Sequence, residues 1–245
     1  MGDRFAEIAP NIYCLRVSPT PEFTYNSFLI VDERPTLIHT GRAKYFDRTH
    51  NLLCQVLKPE SLAYIAFSHF EGDECGALKL WLEKAPNAVP VCSPLARASV
   101  EDLIGLAPKC MHDGDVLRLG TCAFQMIETP HFPHGWDAGV FYERHHKILF
   151  SSDIGAQPGD CDIVTDRDVS GEALRFQSEL GFMSEGADFK RSLDRVCQLE
   201  LHLLATQHGS VLTSSAAHCF LGALKHHVSQ SQRDHYGRKP TRCDD

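Results

Sequence analysis

The chain has 245 residues, 43% of them hydrophobic and 23% charged, with a formal charge of −8 from 24 basic and 32 acidic side chains. That length supports one sizeable core, and the proportions are those of an ordinary soluble domain. An acidic balance with no run of Lys and Arg excludes a nucleic-acid groove, the absence of about 18 consecutive apolar residues excludes a membrane span, and the first fifteen residues lack the pattern of a secretory signal.

Residues 11–17 and 26–32 read as strands around the turn-rich Ser18-Pro19-Thr20-Pro21, and 35–40 as a third short apolar run closed by Gly41. Phe46, Leu52, Leu53 and Val56 recur at helical spacing and predict a helix over 44–57. Residues 62–68 form a continuous apolar run suited to a buried strand, which breaks off in His69-Phe70-Glu71-Gly72-Asp73-Glu74. A helix over 75–83, a strand over 89–92 and a helix over 93–104 follow. The second half repeats the scheme, with strands at 116–119, 122–128, 138–143 and 147–150. After a Gly- and Asp-rich loop come helices at 171–180 and 187–198, a last buried strand at 201–206 and a helix at 214–227. Residues 229–245 are polar and aperiodic, so they are expected to be a mobile tail on one domain spanning 1–228. Strands followed by helices, twice over, predict two packed sheets with helices outside.

Ten Cys occur without a C-x-x-C pair, several of them inside apolar runs. Free thiols in a reducing cytoplasm are the expected state, and Cys75 is read as packing beneath the neighbouring acidic stretch.

Four of the strand-like runs end in His or carboxylate. His69, Glu71, Asp73 and Glu74 fall within six positions, and alternate residues of an extended turn aim the same way. Thr129-Pro130-His131-Phe132-Pro133-His134 leaves one strand, Ser151-Ser152-Asp153 ends another, and Gln207-His208-Gly209 ends the last. Any one of these has an ordinary surface or core explanation; the four together point to a metal site. A set rich in carboxylates suits a hard ion such as iron, whereas zinc prefers N and S ligands. Phe70, Phe132 and Trp136 interleave with these residues and are candidates for walling the pocket.

The order His-x-Glu-x-Asp, His, Asp, His-Gly resembles the metallo-β-lactamase superfamily, and within it the diiron branch: the metal domain of flavodiiron proteins and stand-alone oxygen-binding diiron proteins. Zinc hydrolases of the superfamily carry His-x-His-x-Asp-His, whereas Glu71 occupies the second position here; 147–156 and Gln207-His208-Gly209 are also similar to the diiron branch. The resemblance implies a four-layer αββα sandwich. It also implies one iron on His69, Glu71 and His134, another on Asp73 and His208, and Asp153 bridging them. His134 is taken over His131 because it lies eight residues before Tyr142, as in that branch.

The chain departs from the pattern twice. Glu74 stands where the motif has His, and is a fourth carboxylate ligand, a residue turned away from the site, or a weakener of the second metal. His39 stands where Ile-Asp-Thr-Gly has Asp, and is expected to donate to a carboxylate ligand. The resemblance implies a cytoplasmic homodimer that binds or reduces O2 (or NO, or a peroxide), or senses oxygen. It takes its electrons from an external donor, since about thirty residues follow position 213 and no flavodoxin half is expected among them. Two further readings stay open: a dinuclear metal-dependent hydrolase of an ester, lactone or thioester, with zinc as the alternative metal, in which a bound metal acidifies water, and a degenerate family member.

Overall fold

Side chains of a strand alternate between faces, so adjacent apolar residues in one strand must enter different cores. Here they do. The computed structural model describes residues 2–184 and 186–237, the side chains of 231–237 apart. Its first sheet runs in chain order through β1 (Arg4–Ala9), β2 (Ile12–Thr20), β3 (Phe23–Ile30), β4 (Thr36–Ile38), β5 (Tyr64–Ala66), β6 (Val89–Cys92) and β7 (Lys109–Cys110). The second comprises β8 (Val116–Arg118), β9 (Ala123–Glu128), β10 (Gly139–Glu143), β11 (Ile148–Ser152), β12 (Val164–Thr165), β13 (Leu203–Thr206) and β14 (Val211–Thr213), in the order β12-β14-β13-β11-β10-β9-β8.

Cys14, Phe28, Ile38 and Ala66 of the first sheet meet Phe124, Phe141, Phe150 and Ala205 of the second in a central core. Their neighbours Leu15, Leu29, Leu37 and Ile65 face outward, onto α1 (Phe46–Leu53), α2 (Leu78–Lys84) and α3 (Arg97–Ile104). Ile127, Val140, Leu149 and Leu204 likewise face α4 (Ser170–Leu180), α5 (Ala187–Val196) and α6 (Ser214–Gly237). The expected four-layer αββα sandwich follows directly from that parity.

Several boundaries differ from expectation. The helix expected over 75–83 starts at Leu78, because residues 71–77 are held in turns. β1, β7, β12 and β14 were not foreseen; β7 and β12 have two residues each, too few for a periodic signal. The tail expected from 229 is helical as far as Gly237, since Ser229-Gln230-Ser231-Gln232-Arg233 offers no breaker. Residues 238–245 lie outside those described. The nine described cysteines are free; Cys243 is not among them. No helix among the described residues is long and apolar enough to cross a membrane.

Candidate metal centre

β4 and β5 run parallel in one sheet and β11 and β13 parallel in the other, so four loops emerge together: 39–41, 68–77, 153–157 and 207–210. Such strand ends are where α/β folds present their chemistry. A fifth loop, 129–138, follows β9.

His69, Glu71, His134 and Asp153 converge. His69 Nε2 lies 3.0 Å from Glu71 Oε2 and 3.0 Å from His134 Nε2, and His134 Nε2 is 2.8 Å from Glu71 Oε2. Asp153 Oδ2 stands 3.8 and 3.6 Å from the two imidazole nitrogens. Its other oxygen, Oδ1, is 3.2 Å from His208 Nε2, which is 3.3 Å from Asp73 Oδ2. Asp153 therefore gives one oxygen to each of two groups of donors. His131 is exposed and outside this cluster.

The backs of the rings are anchored. His208 Nδ1 donates to Thr24 O at 2.7 Å, while Phe23 and Tyr25 pack on its ring with centroids 4.5 and 5.4 Å away. With Nδ1 carrying the proton, the Nε2 lone pair faces Asp73 and Asp153. Gly209 has φ +78°, and a Cβ there would stand 2.8 Å from Gln157 Cβ, so the turn that aims His208 requires glycine.

His69 is held by hydroxyls. Ser68 Oγ donates to Ser152 Oγ at 2.8 Å, and Ser152 Oγ donates to Glu74 Oε1 at 3.3 Å. Having spent its one proton, Ser68 Oγ accepts from His69 Nδ1 (3.0 Å) and from His39 Nε2 (3.2 Å). His39 thus reaches a serine, not the carboxylate ligand expected of it; the Ser68 hydroxyl lies in between. Burial pulls His39 down to about 4, so it is neutral at ordinary pH. The ladder His39–Ser68–Ser152–Glu74 crosses from one sheet to the other.

Glu74 is wholly buried and turned inward: Oε2 has no hydrogen-bond partner among the described residues and lies 3.9 Å from His69 Nε2. Burial and the charges of Asp153, Asp73 and Glu71 raise its pKa well above the usual carboxylate range. Hydrogen bonds from His134 and His69 hold Glu71 well below that range. Burial opposes a charge on His208, yet hydrogen bonds to Asp153 and Asp73 push it up to about 10. Among the described residues the ion pairs of these four carboxylates are all to histidines. Each short N···O contact needs a proton or a metal cation between its atoms, and the orphaned Glu74 oxygen asks for one more. The donor set fits bound cations.

Two neighbours keep the loops in place. Asp137 Oδ2 accepts from Phe70 N at 2.8 Å, and Thr40 accepts from Ala77 N and from Trp81 Nε1. Cys75 is buried, donates to Glu71 O at 3.2 Å and has its thiol pushed up to about 12, first by burial, so it packs beneath the site as expected. The expected aromatic wall is corrected: Trp136 is 69% exposed, Phe70 is exposed, and Phe132 is spent on Phe189 in the outer core. The cavity over the carboxylates, about 110 Å³, is lined instead by Phe23, Leu180 and Phe182. Phe182 meets His134 edge-on at 5.1 Å. These residues, with Ser68, Ser152 and Thr24, escaped sequence reasoning; of them only the hydroxyls beside His69 and Asp153 carried any signal.

The layering and the five convergent loops define the metallo-β-lactamase fold with a metal-binding donor set. A family model described as ODP family beta lactamase matches residues 23–209, and the chain belongs to that family. It is 36% identical over 136 residues to diflavin flavoprotein A 1 of Thermosynechococcus vestitus, covering 54% of this chain and 23% of that protein. It is 29% identical over 139 residues to rubredoxin-oxygen oxidoreductase of Megalodesulfovibrio gigas, covering 55% and 34%. The chain thus matches about a quarter to a third of the length of these relatives. Among solved structures, the 1–254 fragment of diflavin flavoprotein A 5 from Nostoc sp. PCC 7120 superposes with a TM-score of 0.84 at 20% identity, over 97% of this chain and 99% of that one.

Proposed function

We propose that this domain holds two iron ions and binds or reduces O2, with NO as a second diatomic substrate. The observation that carries the reading is Asp153, whose two oxygens face two separate groups of donors. On one side His69, Glu71 and His134 would hold a metal, on the other Asp73 and His208, with Glu74 offering its unpartnered oxygen near the first. Four carboxylates against three imidazoles suit iron over zinc. Bound as a ferrous pair, the metals would supply electrons to a diatomic ligand. The residues do the rest. Ser68 and Thr24 fix which imidazole nitrogen faces the metal, and Phe23, Leu180 and Phe182 line the approach.

Cavity size favours this reading over hydrolysis. About 110 Å³ admits a diatomic or a few waters, whereas sites for organic substrates span about 300–1,000 Å³. Reduction in turnover calls for an electron donor outside this domain, and the rubredoxin-oxygen oxidoreductase relative makes a small redox protein the first choice. A homodimer and a cytoplasmic setting complete the proposal.

The test is metal content after anaerobic purification from iron-supplemented medium, followed by O2 consumption with a chemical reductant. Two irons per chain and O2-dependent spectral change are expected. Zinc alone, with ester turnover, would replace this reading by the hydrolase.

A further inference from the structure

A second group of metal-ligating side chains lies at the other end of β11 from Asp153, about 17 Å away at roughly 3.4 Å per residue. Cys122 immediately precedes β9, Glu143 ends β10, and His146 sits in the turn into β11. One ligand atom from each lies within 4.8 Å of the others. We propose that Cys122, Glu143 and His146 form a separate site for a zinc-class divalent ion, with water as fourth ligand.

The geometry is close to what such an ion needs. His146 Nδ1 is 3.1 Å from Glu143 Oε2 and 4.0 Å from Cys122 Sγ. Tetrahedral zinc, with bonds of about 2.0 to N and O and 2.3 to S, sets those separations near roughly 3.3 and 3.5 Å. A shift of the His146 ring by a few tenths of an ångström satisfies both. Glu143 is wholly buried and already oriented: Oε1 accepts from His145 N (2.9 Å) and Oε2 from His146 N (2.6 Å), leaving the Nδ1 contact as the one an ion would replace.

The charges balance as well. A thiolate and a carboxylate neutralise a divalent ion, which a buried site requires. Among the described residues the ion partner of Glu143 is His146, so no Lys or Arg competes for the carboxylate. Asp32 Oδ2 accepts from Cys122 N at 2.6 Å, which fixes the backbone that carries the thiol. Burial, then Glu143 and Asp32, push the free thiol up to about 12, so the thiol keeps its proton until a cation displaces it. On binding, the ion takes the thiolate, one proton leaves to solvent, and the His146 proton moves from Nδ1 to Nε2. The soft sulfur separates this site from the carboxylate-rich centre, so the two select different metals.

Titration of the full chain with Co2+ tests this, followed through the near-ultraviolet charge-transfer band of thiolate-bound cobalt. The expected result is a band with the saturating intensity of one thiolate-bound cobalt per chain, lost in Cys122→Ser and weakened at least tenfold in affinity in His146→Gln. It is retained in Cys75→Ser, which removes the thiol beside the other centre. His146 lies at the surface of the turn, so its variant keeps the fold if Cys122→Ser does not. Absence of the band in the parent chain, its survival in Cys122→Ser, or an unchanged affinity in His146→Gln overturns the proposal.

Discussion

Asp153 is 5% exposed and places one oxygen among each group of donors, so its loss reaches both. Among the described residues Asp73 pairs with His208 and with neither His69 nor His134. Asp153→Ala is expected to lower metal content towards zero, whereas Asp73→Ala lowers it from two per chain to one; elemental analysis of both variants checks the difference. Ser68 acts behind the ligands. Ser68→Ala removes the acceptor for His69 Nδ1–H and is expected to weaken metal binding about 10–100-fold, with Ser68→Thr restoring most of it. Competition with a fluorescent chelator reads that change without any assay of turnover. The ligand types were readable in the chain because each follows an apolar run. The hydroxyls were marked by adjacency alone and their roles were not readable, since serine beside histidine is common and the partners of Ser68 lie 29 and 84 residues away.

At the scale of elements, the β13–β14 turn that carries His208 is tied down from β2 and β3. Arg16 is wholly buried and donates to the carbonyls of Cys161 (2.6 Å), Asp162 and Gly209, and Asn26 donates to Thr206 O and Gly209 O. Arg16→Leu removes one donor from each of those carbonyls, which keep Arg4, Ser210 and Asn26, and leaves Asn26 Oδ1 without the Arg16 Nε–H it accepts at 2.9 Å, at about 1–3 kcal/mol for a buried acceptor left unpaired. A fall of roughly 3 kcal/mol in urea-unfolding stability is expected, together with weaker binding of the second metal as the turn loosens. Parity of apolar residues made the strands of the central layers legible, down to β6 at its observed limits. An arginine in an apolar strand has no such reading, because its meaning depends on which carbonyls another sheet brings to it.

Across the whole molecule, the two sheets meet through an apolar core and, at the site, through the ladder of His39, Ser68, Ser152 and Glu74. The two places where the chain departs from the family pattern are the two ends of that ladder. The motif that the sequence resembles has Asp at the first position and His at the last, whereas this chain has His39 and Glu74, a base and an acid at opposite ends. His39→Asp alone is expected to add a buried negative charge to a ladder that already ends in Glu74 and to cost the second metal. Glu74→His alone leaves two imidazoles and no carboxylate on the ladder. The double variant H39D/E74H is expected to recover both metals, giving a coupling of about 1–3 kcal/mol in a double-mutant cycle on metal affinity; additive losses would show the ends to be independent. A coupling of that size would make the ladder a ratchet: either single step would lose metal affinity, so a change at position 39 would have to be matched at 74 before either could be kept.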